Sequence, residues 1–461
     1  MNVKRIASLI FAIAIVVCGC MLTPPEGLSR EALIVLSLFG FVICTWIGEV
    51  CPKFVSTLIA MVLLYFLGVA DSINEVWQAF ISSVFFFLLA AFALATVVKK
   101  STIPLRLMGL FIRVCQDRSS LIVLAIMLSS AIVSAFMSDL AACALAVSIV
   151  LPVIRGAKMP ERFVRCLMIA IPIASLTGGF STPIGSPSNI TIMSLLGNFA
   201  MSVSFVQWAV VGVPLACMVL AVSWVVLVFV YRPEKLDQSC VEDINGRFDN
   251  LGHLSAYDVK AIVVLVVMMV AWVSSTWTPP LDSTLVAVCG LCIMFLPGVE
   301  LLSWSDFNEG VPWDMVLMLN GLMAMAVFLN TTEALDWVVG SVMSDATSWS
   351  PLAFLYIVSV VICVLRSCVP SGPPVVVMLA PGLIALSYTI GLNPFCVVLA
   401  ISIWTQITFL VPSIDALYLI TYSTGCYTTT QLWKAGIPLT VFFLAALPPI
   451  TYVMVNTFIP L

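Results

Sequence analysis

Charge is what this sequence has least of. Asp, Glu, Lys and Arg make up 9% of the 461 residues, where a soluble domain carries about 25%. So few charges cannot cover a water-facing surface of this size, which excludes a soluble globular protein. Histidine is almost missing too, since His253 stands alone in a polar stretch. A histidine-based metal centre or catalytic triad therefore has nothing to build on. Basic excess is absent: the formal net charge is −4, and nothing points to a nucleic acid partner. The 15 Cys lie mostly inside apolar runs, as Cys18, Cys20, Cys143, Cys289 and Cys396 do. Such Cys act as small hydrophobes, and neither a disulfide framework nor a metal cluster is expected.

What is abundant is apolar: 62% of residues are hydrophobic and mean hydropathy is +1.17. The fold class expected is an all-α polytopic membrane protein. Apolar runs long enough to cross a bilayer fall near 6–22, 31–48, 54–70, 79–98, 166–195, 205–231, 259–276, 281–297, 312–330, 395–423 and 436–457. The first follows Lys4 and Arg5 but reads as a span, because no small-x-small cleavage site follows it. Two further segments, about 119–152 and 350–390, each hold two apolar runs separated by Ser, Gly, Pro or Asp. They read as re-entrant hairpins, which gives eleven spans and two hairpins. Amphipathic segments at about 101–118 and 331–349 read as interfacial helices.

Threading the chain with its N-terminus in the cytoplasm puts all of the 19 Lys and Arg on the inner side except Arg30 and Arg366. That bias fixes the orientation of a multi-pass protein of the cell (inner) membrane. The hairpin at 119–152 then enters from the cytoplasm and the one at 350–390 from outside. The halves are thus opposed: residues 1–230 form a first inverted repeat, 231–260 a cytoplasmic linker and 261–461 a second repeat.

Local motifs recur in the same order. Leu67-Gly68-Val69 and Trp77 precede the first hairpin, and Leu296-Pro297-Gly298-Val299 and Trp304 precede the second. Asp139 and Gly372 stand at the hairpin tips. About 40 residues on, each half breaks an apolar span, at Gly185-Ser186-Pro187-Ser188-Asn189 and at Val411-Pro412-Ser413-Ile414-Asp415. Irregular backbone at membrane depth is tolerated only where protein or a water-filled cavity satisfies it. Matched breaks in two halves point to the binding site of a transporter. Half-helix N-termini suit anions and C-terminal carbonyls suit cations. A carboxylate at that depth, such as Asp139, is a cation ligand, a proton carrier or a helix cap. Asp415 reads as a ligand or a cap. Arg366 reads as an anion contact or one half of a structural pair. Asp314 and Glu309 read as interfacial.

At these residues the chain resembles the divalent anion/sodium symporter family within the ion transporter superfamily. The stretch from Arg162 to Asn189 is similar to that family's first loop, and Tyr422 to Gly436 to its approach to the last span. The family carries Ser-Asn-Thr at each tip. This chain instead has Ser138-Asp139-Leu140 and Ser371-Gly372-Pro373. The resemblance implies a homodimer, an elevator-type movement, and one sodium ion at each pair of tip and loop. A first sodium site through Ser138, Asp139, Gly185 and Asn189 carries over, while the second has lost its side-chain oxygens. The implied substrate contacts are Ser138, Asp139, Ser186, Pro187, Ser371, Gly372, Pro412 and Ser413, with Arg366 added by its position near the second tip. The expected function is secondary active transport of a small anion, most of all a di- or tricarboxylate, coupled to sodium or alternatively to protons. Sulfate or oxyanion transport and cation/proton antiport are alternatives on the same fold. A polytopic membrane enzyme is a remote one, since it lacks His and metal motifs.

Overall fold

The computed structural model describes the whole chain except residues 1–2, 116–117, 157–158, 198–200, 202, 237–245, 247, 249–251, 279–281, 343–348, 368–371, 408, 412–414 and 461. Among the described residues all regular structure is helical. After α1 (Val3–Met21) comes a series of ten helices: α2 (Arg30–Ile47), α3 (Lys53–Phe66), α4 (Ile73–Phe80), α5 (Ser83–Lys100), α6 (Ile103–Cys115), α7 (Ser119–Ser134), α8 (Asp139–Gly156), α9 (Glu161–Ser181), α10 (Pro187–Gly197) and α11 (Phe205–Tyr231). A second series follows in the same order: α12 (Ala256–Ser274), α13 (Ser283–Phe295), α14 (Trp304–Gly310), α15 (Trp313–Thr331), α16 (Ala334–Val342), α17 (Pro351–Arg366), α18 (Gly372–Ile390), α19 (Pro394–Gln406), α20 (Ala416–Tyr422) and α21 (Thr429–Phe458). Each series contains a short helix of 8 or 7 residues, α4 or α14, before a long one. Each then has an amphipathic helix, the two helices expected as hairpin arms, an interrupted pair and a long final helix.

Polar residues at the ends set the boundaries. Ser204 caps α11 with Gln207, Ser255 caps α12 with Asp258, and Thr428 caps α21 with Gln431, each as a reciprocal pair. Two expected spans are shorter than the sequence suggested. The runs at 54–70 and 281–297 give α3 and α13, of 14 and 13 residues. Gly68 and Pro297-Gly298 stop the helix early. Among the described residues, eight helices are long and apolar enough to cross a membrane when α4 and α5 count as one, with others of 10–17 residues beside them.

The two interrupted pairs sit at the centre. Every residue of α19 and the run Cys166–Ser181 of α9 are buried, as expected of helices apolar on all sides. Outer helices turn apolar side chains outward instead, among them Phe229, Val270 and Val441. The α9–α7 contact is close because Gly178 has no side chain. A Cβ there would run into the backbone carbonyl of Ala131. Gly178→Ala should therefore cost about 1–3 kcal/mol and lower the melting temperature of the purified protein. An unchanged Tm would mean that α7 yields without cost.

Polar ties link the series at both ends. At one end Lys100 Nζ lies 2.7 Å from Asp306 Oδ2. Asp258 accepts from the Thr102 amide and hydroxyl at 2.7 and 2.8 Å. Arg106 donates to the Gly252 and His253 carbonyls, and Tyr231 Oη to the Gln431 carbonyl at 2.6 Å. The threading puts all of these on the inner side. At the other end Trp337 Nε1 donates to the Glu26 carbonyl at 3.0 Å. Hydrogen bonds from Lys100 and Ser303 hold the Asp306 carboxyl down at about 2. Its pKa is depressed, so this tie is fully present above the ordinary carboxylate range and is lost as pH falls toward 2.

Candidate functional site

Four interruptions converge on one place: the turn between α7 and α8, the short 3₁₀ turn Pro183–Gly185 between α9 and α10, the start of α18, and the gap between α19 and α20. Between them lies a cavity of about 320 Å³. Ser138, Asp139, Ser186, Pro187, Arg366 and Gly372 all line it, so six residues expected from the sequence meet across both halves. Ser371, Pro412 and Ser413 fall outside the described residues. Gly185 and Asn189 lie behind the wall, fully buried.

The helix ends around the cavity differ in charge. Asp139 begins α8 and accepts the Leu140 amide at 2.8 Å. Asp415 caps α20 through the Leu417 amide at 2.9 Å. These two N-termini thus carry their own carboxylates. The N-termini of α10 and α18 carry no acidic residue in their first turns, so their positive ends are available to an outside anion. Asp314, expected at the interface, also borders the cavity. The lining therefore sets Asp139, Asp314 and Asp415 against Arg366.

Arg366 is 4% exposed. Its Nη2 lies 2.5 Å from Asp415 Oδ2, and its Nε donates to the Thr405 carbonyl at 2.8 Å. The sequence left Arg366 open between anion contact and structural pair; the geometry shows the pair, at the edge of the cavity. Asn189, expected as a sodium ligand, is engaged on both sides. Its Nδ2 donates to the Gly179 and Thr182 carbonyls at 2.8 and 2.7 Å. Its Oδ1 accepts from Ser402 Oγ at 2.6 Å and Gln406 Nε2 at 3.0 Å. An amide oxygen has two lone pairs, so Asn189 would have to release one of these bonds to bind an ion.

Thr405 and Gln406 also line the cavity, and sequence reasoning missed them. The signal was there: they form a polar pair at the end of an apolar run, directly before a break. Ser188 was passed over as well. It lies where a Cβ on Gly372 would stand 3.3 Å from its Oγ and 3.2 Å from the Thr405 carbonyl. A second cavity of about 710 Å³ shares Phe92, Ser138, Leu140 and Pro312 with the first and reaches Lys99, Lys100 and Asp306. The site thus opens toward the end of the molecule that holds the Lys100–Asp306 tie.

The family described as the sodium:sulfate symporter transmembrane region matches residues 3–456. The sodium-dependent dicarboxylate transporter SdcS of Staphylococcus saprophyticus is 22% identical over 497 residues, an alignment covering 100% of this chain and 95% of that protein. SdcS of Staphylococcus aureus strain USA300 is 22% identical, over 89% of this chain and 84% of its own length. The crystal structure of the Alcanivorax borkumensis YdaH transporter, described as having an unusual topology, superposes with a TM-score of 0.54 at 11% identity. It covers 100% of this chain and 99% of its own, a likeness of fold alone. With the family match running almost from end to end over an all-helical, multi-pass chain, this protein belongs to the sodium:sulfate symporter family and is a membrane transporter, not an enzyme.

Proposed function

We propose that the protein is a secondary active symporter that couples sodium to the movement of a small dicarboxylate. One observation carries this reading. The cavity sets the carboxylate of Asp139 and neutral oxygens beside two helix N-termini, those of α10 and α18, that carry no acid of their own. Its volume falls in the range of small-molecule sites, about 300–1,000 Å³. An anion approaching Asp139, Asp314 and Asp415 alone is repelled. A cation bound first removes that repulsion, and coupling follows from it. Ser186 and the first turns of α10 and α18 then hold the anion, with Ser138, Pro187 and Gly372 shaping the pocket. The names of the relatives support sodium and a dicarboxylate.

The same reading gives a mechanism. Residues 1–230 and 261–461 act as inverted repeats, and the hairpins and interrupted spans form a mobile unit. Bonds across the halves lock that unit: Asn189 to Ser402 and Gln406, and Cys143 Sγ to the Leu417 carbonyl at 3.7 Å. It moves like an elevator against the remaining helices in a homodimer, and the cavity reaching Lys99 and Lys100 corresponds to the inward-facing state. At the second pair of breaks the Arg366 guanidinium already pairs with Asp415, and its positive charge opposes a second cation. Sodium activation should therefore show a Hill coefficient near one.

The test is uptake of labelled succinate, citrate and sulfate into proteoliposomes, with and without an inward sodium gradient. Sodium-driven succinate uptake is expected. Uptake of sulfate alone would move the reading to oxyanions, and gradient-independent exchange would remove coupling. Steep multi-sodium activation would show that backbone carbonyls rebuild a second ion site despite Arg366.

A further inference from the structure

Gln406 ends α19 and is 2% exposed. Its amide orientation follows from its neighbours. Asn189 Nδ2 faces two carbonyls, Gly179 and Thr182, which only accept. Asn189 Oδ1 must then face Ser402 and Gln406, so Gln406 must present its Nε2 there. Flipping Gln406 would set oxygen against oxygen. Gln406 Oε1 is left pointing the other way, buried and without a hydrogen-bond partner among the described residues.

That oxygen points into a small gap beside Gly179. The position a Cβ on Gly179 would take lies 2.5 Å from Gln406 Oε1, 3.1 Å from Asp139 Cβ and 3.5 Å from Asp139 Oδ2. Two acceptors facing one gap have no donor between them. Such an arrangement is satisfied by a hard cation, which prefers oxygen ligands. One carboxylate with neutral oxygens suits a monovalent ion, and no group of three or more His, Cys, Asp or Glu stands together among the described residues.

We propose that Gln406 Oε1 and Asp139 Oδ2 hold the coupling cation together, in the gap beside Gly179. The ligand set then spans both halves of the chain, α8 from the first and α19 from the second. Asn189 acts one step back, as the positioning residue that aims Gln406. This rests on the sodium-coupled reading above and adds to it a ligand from the second repeat. Binding the ion would tighten the contact between the two interrupted spans before the anion arrives.

The test measures melting temperature of the purified full-length protein across sodium chloride concentrations, with choline chloride as the control and no anionic substrate. The parent protein should be stabilised by sodium. Gln406→Met keeps length and burial but loses the oxygen, and should raise the half-stabilising sodium concentration roughly tenfold or more. Gly179→Ala puts a Cβ 2.5 Å from Gln406 Oε1, fills the gap itself and should do the same with the Gln406 amide still present. This second variant carries the test if Gln406→Met does not fold. Half-stabilising concentrations within about twofold of the parent for either folded variant overturn the proposal. A parent protein indifferent to sodium, in melting and in uptake, overturns both this proposal and the sodium-coupled reading.

Discussion

Asp139→Asn should leave a folded protein that transports poorly at low sodium, with its apparent sodium affinity weakened at least tenfold. The substitution changes one atom and one charge. The capping function survives, because an Asn oxygen accepts the Leu140 amide as well as a carboxylate oxygen does. What disappears is attraction for a cation. Two unit charges 4 Å apart gain about 4 kcal/mol at an effective dielectric of 20. Asp139 is half-buried at the cavity wall, so water weakens that figure, yet even a third of it is tenfold in affinity. Sodium titration of succinate uptake measures the change, and Tm in choline chloride controls for folding. If sodium dependence were the same in the two proteins, Asp139 would be a helix cap and nothing more. If folding itself were lost, the cap would be worth more than the charge.

The sequence made the skeleton of this site legible because its signals are local. A break in an apolar run costs backbone hydrogen bonds, so Pro, Gly and Ser placed in it announce the interruption. The tips at Asp139 and Gly372 and the loop around Ser186 were readable in that way, and all border the cavity. The order of spans follows from the same run lengths, but the short helices α4 and α14 do not, because 8 and 7 residues make no apolar run. What could not be read is who meets whom. Ser402 and Gln406 lie 213 and 217 residues from Asn189, and no spacing rule spans that distance. Asn189 therefore read as an ion ligand, and its bonds between the two interrupted spans were not legible. Gln406 carried a local signal, its polar pairing with Thr405 before a break, but what it faces could not be read for the same reason. Asp314 read as interfacial and is exposed, but that it also borders the cavity could not be read from its place near a span terminus. Here Pro312 starts α15 beside the cavity and carries Asp314 to its rim.

Replacing Arg366 tests the other half of the site and should give the largest loss of stability. The guanidinium and the Asp415 carboxylate are 5% and 3% exposed, so neither charge is well hydrated. Removing one member of such a pair leaves the other buried and uncompensated, at a cost of about 3–5 kcal/mol. Arg366→Ala is therefore expected to lower the Tm sharply or prevent folding. Arg366→Met with Asp415→Leu removes both charges and should recover much of that loss, as apolar replacements of buried pairs do. Arg366→Lys keeps the charge but loses the planar fork. A lysine cannot serve Asp415 and the Thr405 carbonyl in the geometry seen here, and a buried acceptor left without its donor costs about 1–3 kcal/mol. Its Tm should fall while KM for succinate stays within about twofold, because the anion rests on the α10 and α18 N-termini. The opposite pattern, a several-fold higher KM with an unchanged Tm, would place the guanidinium on the substrate. The pair with Asp415 would then be a resting contact that the anion displaces on binding.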